Sequence, residues 1–502
     1  MQKNTLARGV IFMTAANLIV KAAGLLFKIP LTAMIGEEGM GYYSGAYTLF
    51  TWLYMLSAAG LPAAASMLIS RLPEGRRRCG AMKIFRVSMV IFVPVGLVGS
   101  ALLILGAGPI SSLMKIEQSR LAIIAIAPTL FFICQSAALR GYFQGFGEFG
   151  WHSLSQIAEA VGKAALGVAL AWRALERGCS TAEAAAWAAV GITVGVAAGM
   201  LVLYLAILIR RRERGLPDET PTRRIASQLM RAALPITLSS SVMSLTNLID
   251  TLLMTRCLHA AGLSQAETAA IYGNYTSLAV PMFNLPPVLT APIAVALLPS
   301  LGAAMAARDT ARAKKLAQDA LSATIFLAFP CAMGLSALSK PILALFFAPD
   351  VAERGAMLLT LLAPSSALLC MLGVTNTILQ ASGHERVPLF AMLCGAAVKL
   401  LATWTLTPVL ERYAAPVSTL ICYLTVLAIS AAAIGALTPM GGIFAVRRMI
   451  LPLVISTLAV LAAVMVRPIF TGRMSVLIAI AAAGFVYAVL SGVCQLKKSG
   501  KA

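Results

Sequence analysis

The chain has 502 residues, 59% of them apolar and only 12% charged. A soluble protein carries about 25% charged residues, and a soluble fold of this length could not hide so much apolar side chain, so the composition excludes a soluble enzyme and requires a polytopic membrane protein. Lys and Arg number 40 against 19 Asp and Glu, a net +21; in so apolar a chain that excess orients helices in a bilayer and does not signal nucleic acid.

One crossing needs about 20 apolar residues. The apolar runs between charge and turn clusters predict an all-α chain of about fourteen transmembrane helices. In the first half they lie at 9–35, 44–70, 84–107, 120–140, 154–173, 184–209 and 231–258. The second half places them at 268–303, 316–339, 354–380, 387–408, 416–437, 450–467 and 475–495. The first run is long and lacks a small-residue cleavage pattern, which predicts a retained span and no signal peptide. Run 268–303 holds Pro281, Pro286, Pro287, Pro292 and Pro299 and is expected to kink or unwind. No connection exceeds roughly 20 residues, which leaves no room for a soluble catalytic domain.

Alternate connections are basic. Arg76, Arg77, Arg78 and Lys83 follow span 2, Arg210, Arg211, Arg212 and Arg214 follow span 6, and Arg308, Arg312, Lys314 and Lys315 follow span 8. About 26 of the 40 basic residues fall on one side and about 10 on the other, which predicts a multi-pass membrane protein with both termini cytoplasmic. Most of the nine cysteines lie inside apolar runs and read as small buried hydrophobes; the three histidines show no ligand spacing, so no metal is expected.

The two halves share a repeat. Ala127-Pro128, Cys134, Gln144, Gly147 and Lys163 recur as Ala363-Pro364, Cys370, Gln380, Gly383 and Lys399, all at an offset of 236 residues. A shift of six spans preserves direction through the membrane, so the repeats are parallel and related by an axis along the membrane normal. A weaker echo links Gly45-Ala46-Tyr47-Thr48 with Gly273-Asn274-Tyr275-Thr276. The expected organisation is an N-lobe at 1–215 (spans 1–6), a C-lobe at 216–440 (spans 7–12), and spans 13–14 with a cytoplasmic tail at 441–502.

Charges within spans are costly, about 2.5–3.5 kcal/mol each at the bilayer centre on insertion scales, and usually face a cavity or a partner. Lys21 and Lys28 lie two turns apart on one face of span 1, and Lys163 and Lys399 are the repeat-related pair. Lys28 either faces a cavity or snorkels to the interface. Glu159, four residues before Lys163, has the spacing of a helical ion pair that would neutralise it. Asp250 sits in span 7 beside Asn247 and is a candidate for helix capping, lysine pairing or cation coupling. Four lysines against two acids favour an anionic ligand, with phosphate or diphosphate as the natural candidate. Tyr47, Tyr272 and Tyr275 are candidates for stacking on sugars, whereas Tyr42 and Tyr43 read better as an interfacial belt.

Lys21-Ala-Ala-Gly-Leu-Leu-Phe-Lys28-Ile-Pro-Leu, Ile35-Gly-Glu-Glu-Gly-Met-Gly-Tyr-Tyr and Ala59-Gly-Leu-Pro62 resemble the stage V sporulation protein B family. So do Arg140-Gly-Tyr-Phe-Gln-Gly, Leu234-Pro-Ile-Thr and Leu248-Ile-Asp250-Thr, in the same order along the chain. These proteins are similar to polysaccharide and lipid II flippases of the multidrug/oligosaccharidyl-lipid/polysaccharide exporter superfamily. The resemblance implies a two-lobed, MATE-like and MurJ-like transporter of lipid-linked cell-wall precursors, acting in spore cortex peptidoglycan formation. It also implies a basic residue at Lys21. MurJ-type flippases carry arginines in spans 2 and 8 where this chain has none, and Lys163 and Lys399 are expected to supply that charge. The implied substrate is an anionic lipid-linked oligosaccharide moved by alternating access, with spans 13–14 lining a groove for its tail. The cell-wall synthesis machinery is the implied protein partner. No enzymatic activity and no cofactor are expected, and a coupling cation, Na+ or H+, stays open. The alternatives are a cation-coupled multidrug exporter, which should favour carboxylates in its cavity, and a membrane glycosyl or prenyl transferase, which needs a paired-carboxylate or metal motif that is not visible.

Overall fold

The computed structural model describes residues 2–58, 60–70, 72–73, 76–209, 220–444, 446–469 and 473–499. All regular secondary structure among them is helical. Contacts divide the chain into two compact units, Met1–Gly273 and Asn274–Ala502.

The first unit begins with α1 (Gln2–Ala58), a run too long for one crossing. It breaks at Gly36, whose φ of 69° and ψ of −176° are non-helical. Only glycine adopts such a backbone readily, so this residue separates predicted spans 1 and 2. There follow α2 (Gly60–Ser70), α3 (Arg77–Leu113), α4 (Ser119–Ile126), α5 (Thr129–Gly145), α6 (Phe149–Glu176), α7 (Thr181–Ile209), α8 (Thr222–Ala260) and α9 (Gln265–Asn274). Two starts are set by capping boxes. Ser180 and Glu183 exchange backbone–side-chain bonds of 2.8 and 3.3 Å at α7, and Ser264 and Glu267 do so at 2.9 and 3.2 Å at α9.

The second unit contains α10 (Val280–Phe283), α11 (Leu285–Ala306), α12 (Thr310–Ala337), α13 (Ser339–Phe346), α14 (Pro349–Ala381), α15 (Arg386–Leu410), α16 (Ala414–Leu437), α17 (Val446–Val466) and α18 (Arg473–Ser499). Its core joins Leu297 and Leu301 of α11, Leu321 and Ile325 of α12, and Met371 and Ile378 of α14. The proline-rich run behaves as its composition predicts. A π-helical turn at Tyr275–Ala279 precedes α10, and the chain breaks at Asn284 before α11.

Ten helical runs among the described residues are long and apolar enough to cross a membrane; two of them, Leu26–Ser70 with 45 residues and Arg386–Leu437 with 52, have length for two crossings each. Each of the fourteen predicted spans falls on helix, with α8 and α17 supplying the seventh and thirteenth.

The repeat is visible in backbone geometry. Gly147 and Gly383 take left-handed φ values of 76° and 80° just beyond α5 and α14. In both, the glycine N–H bonds back to a glutamine carbonyl, Gln144 at 2.9 Å and Gln380 at 3.0 Å. The next N–H reaches Phe143 at 3.0 Å and Leu379 at 2.9 Å. Each is a Schellman ending, which satisfies the orphan carbonyls of the last turn.

Candidate functional site

The site in the first unit is built on a close helix pair. Gly191, Gly195 and Gly199 repeat every fourth residue on α7 and form one stripe of small residues. A methyl group added at Gly195 would sit 2.6 Å from the Lys163 nitrogen and 2.7 Å from the Glu159 carbonyl oxygen. One at Gly199 would sit 2.7 Å from the Ser155 carbonyl oxygen. The glycines thus seat the backbone of the α6 turns that carry Ser155, Glu159 and Lys163.

Arg140 of α5 reaches into this face. Its Nη2 donates to Glu159 Oε2 at 2.7 Å and to Ser155 Oγ at 3.2 Å, while Nη1 donates to Tyr54 Oη at 3.4 Å. The guanidinium is buried and the carboxylate half-buried. The ion pair of Glu159 is therefore with Arg140 and not with Lys163 four residues on, because α5 brings a bidentate-capable donor to the same face. Lys163 instead lies over aromatic rings, its Nζ 4.2 Å from the Tyr47 centroid and 5.6 Å from that of Phe27. Lys28, half-buried on α1, is close enough to Lys163 for their charges to interact.

An aromatic rail joins the two cations. Tyr43, Tyr47, Phe50 and Tyr54 fall on one face of α1 at helical spacing. Tyr43 stacks on Tyr47 at 5.9 Å, Tyr47 meets Phe50 at 6.0 Å, and Phe50 meets Tyr54 at 6.1 Å. Lys163 sits on the middle of the rail and Arg140 bonds its end. Tyr42 and Tyr43 are both buried in the unit, so the expectation of an interfacial belt is corrected: α1 turns their face inward. Tyr272 is also interior, its hydroxyl within 2.8 Å of Thr48 Oγ1 and 3.1 Å of Thr251 Oγ1.

In the second unit, Lys399 is buried on the α15 stripe that contains Gly395, Ala396, Thr403 and Thr407. Thr403 donates to Ser418 at 3.0 Å. Tyr275 is buried, with its hydroxyl 3.2 Å from Thr419 Oγ1. Asn247 is exposed on α8. Lys21 and Asp250 lie outside the described side chains. A separate groove of about 450 Å³ in this unit is lined by apolar groups, among them Leu289, Phe326, Pro330, Ala463 and Gly484. Spans 13 and 14, as α17 and α18, form part of its wall.

Sequence reasoning thus found Lys28, Glu159 and Lys163, which the structure brings together, and passed over Arg140, Tyr54 and Ser155. The available signal was Arg140 itself, an arginine closing a predicted apolar span.

The profile of the polysaccharide biosynthesis protein family matches residues 6–305, and that of MatE matches 235–405. The chain belongs to the polysaccharide biosynthesis protein family. It is similar to stage V sporulation protein B of Bacillus subtilis (strain 168), 24% identical over 404 residues that cover 80% of this chain and 77% of the relative. It is also similar to the lipid II flippase MurJ of the same organism, 22% identical over 440 residues, covering 84% and 80%. A solved structure of a lipid II flippase MurJ in an inward closed conformation superposes with a TM-score of 0.74 at 15% identity, over 97% of this chain and 99% of that one. The fold is thus the MurJ-like and MATE-like all-α membrane fold that the resemblance implied.

Proposed function

We propose that the protein moves a polyprenyl-diphosphate-linked cell-wall precursor, lipid II or a related oligosaccharide lipid, from the cytoplasmic to the outer leaflet. The observation that carries this reading is the charge balance of the first unit. Lys28, Lys163 and Arg140 share one region with Glu159, and that carboxylate is held by Arg140. Lys163 lies on an aromatic face, and the diphosphate is the partner we assign to it. A cation-exporting cavity would need its carboxylate available, and here Glu159 is engaged.

In this reading the lobes at 1–215 and 216–440 alternate in access, with both termini cytoplasmic as the basic connections predict. Lys21, Lys399, Asp250, Asn247 and Tyr275 complete the headgroup-binding set, and the apolar groove beside α17 and α18 takes the prenyl tail. An inside-negative potential favours outward movement of an anion by about 2.3 kcal/mol per charge per 100 mV, so no nucleotide is needed. Family membership and the similarity to a lipid II flippase support a flippase over an enzyme; spore cortex synthesis, with the wall-building machinery as neighbour, is the cellular setting.

Reconstitution into liposomes with labelled undecaprenyl-linked precursors tests the reading. Movement of the precursor but not of dye cations is the expected result. Proton- or sodium-dependent dye transport with a stationary precursor would overturn it.

A further inference from the structure

A cavity of about 230 Å³ in the first unit borders Arg140. Its polar rim consists of Tyr54, Arg140, Gln144, His152 and Gln156, and its floor of Pro62, Ile133 and Ala137. Arg140 spends its terminal nitrogens on Tyr54, Ser155 and Glu159, yet its Nε–H has no hydrogen-bond partner although the residue is only 6% exposed. That Nε–H has almost no accessible surface, so the cavity meets Arg140 through its other atoms. Glu159 already neutralises the guanidinium, which removes the reason for a ligand here to be an anion.

The remaining rim groups are neutral and mostly donate as well as accept: two side-chain amides, a phenol and an imidazole. Gln144 and His152 lie 3.3 Å apart and close one edge. Neutral two-way hydrogen bonding around an apolar floor matches a sugar ring, which has hydroxyls at its edge and C–H groups on its face. At about 30 Å³ per water the volume holds roughly seven waters, the scale of one pyranose and well below the usual drug-sized pocket.

We infer that this cavity is a subsite for one neutral hexose or acetamidohexose unit of the transported lipid, with Arg140, held in place by Glu159, as part of its polar lining. The inference rests on the proposed transport of a sugar-bearing diphosphate lipid and adds where its headgroup is read. The aromatic rail supports the division of labour: Tyr47 carries Lys163 and Tyr54 bonds Arg140, two ring steps away, so diphosphate and sugar have separate stations on one face of α1.

The test is cysteine protection in the full chain. Ala63, exposed on the cavity wall, is replaced in the variant Ala63→Cys, with Pro62→Cys, at a half-buried wall position, as a second should the first fold poorly. Protein in nanodiscs is treated with a maleimide, and labelling at that residue alone is read by peptide mass spectrometry. The probes are farnesyl-diphosphate-N-acetylglucosamine and farnesyl diphosphate. The sugar-bearing probe should slow labelling by about tenfold and the sugarless one by less than about twofold, and adding Gln156→Leu should erase the difference. Equal protection by both probes, or protection by neither, overturns the subsite; the latter leaves a cavity that holds only water. The liposome assay on the unmodified chain keeps the two proposals separate. Precursor movement without protection sinks the subsite alone, and protection without movement sinks the transport reading alone.

Discussion

Lys163 and Lys399 occupy equivalent places in the repeat, but the helices around them differ. On α6, Lys163 follows Ser155 and Glu159 along one face, and three glycines of α7 press backbone to backbone against it. On α15, the residues 236 positions on from Ser155 and Glu159 are Ala391 and Gly395, and the residue 236 on from Arg140 is Asn376. Where Gly195 meets main chain, Gly395 meets the Val426 side chain, 2.3 Å from where its own methyl would sit. The first unit therefore holds a fixed polar constellation, whereas the second keeps its lysine on a stripe of small and hydroxyl-bearing residues. Duplication preserved the lysine and let the ion pair diverge, and this asymmetry suits a headgroup with one charged and one neutral end.

The largest expected effect is at the ion pair. Arg140→Met leaves Glu159 without its partner in a mostly buried place, and breaking such a pair costs about 3 kcal/mol. Thermal unfolding in detergent should show a clear fall in Tm for Arg140→Met. The double variant Arg140→Met/Glu159→Leu should recover most of it, while Asn376→Leu in the other unit should change little. A double variant no more stable than the single one would show that Arg140 acts by packing and not by charge.

Next is the glycine stripe. Gly195→Ala drives a methyl into backbone atoms that cannot rotate away, so the two helices must separate, at about 2 kcal/mol as for other overpacked cores. Gly395→Ala meets a valine side chain that can change rotamer, and should cost about half as much. Equal losses for the two variants would refute the contrast between a backbone contact and a side-chain contact.

Lys163→Met and Lys399→Met should split stability from transport. Each removes a costly intramembrane charge along with its contacts, which for Lys163 on its ring are about 1–2 kcal/mol, so folded stability should move by less than about 1.5 kcal/mol. Precursor movement in liposomes should nevertheless drop by at least tenfold, because under the proposed function each lysine is a point charge for the diphosphate. Wild-type transport by Lys163→Met would remove the first unit from the headgroup path.

Much of this architecture can be read from the chain because its causes are local or periodic. Apolar runs locate the spans, prolines locate the unwound turn before α10, and the 236-residue offset pairs α5 with α14. The polar constellation could not be read in the same way. Helical periodicity says that Glu159 and Lys163 share a face, but not that α5 delivers Arg140 to that face, and an arginine one turn of space away outcompetes a lysine one turn of sequence away. The same limit misplaced Tyr42 and Tyr43, whose amphipathic rings suit an interface equally well until the partner of their face is known. The Gly191, Gly195, Gly199 spacing was the readable clue to that packing, since four-residue spacing of small residues marks close approach in a membrane.

The smallest predicted effect tests whether the two units still agree anywhere outside the lysines. Gly147 and Gly383 end α5 and α14 with the same pair of backbone bonds and nearly the same left-handed φ, 76° and 80°. A side chain at either place must adopt that conformation against the clash of its own Cβ with the carbonyl, at about 1 kcal/mol. An added methyl meets no neighbouring atom within 4 Å at either glycine, so the cost is purely conformational. Gly147→Ala and Gly383→Ala should therefore lower Tm by the same modest amount, and their double variant by the sum, because the helix ends share no partner. The Asn replacements should restore part of the loss, since asparagine tolerates the left-handed region better than alanine. If Gly147→Ala proves much the worse, the α5 ending has a task beyond termination: it also fixes Gln144, on the rim of the proposed sugar cavity, and the asymmetry of the two units would extend into their backbone.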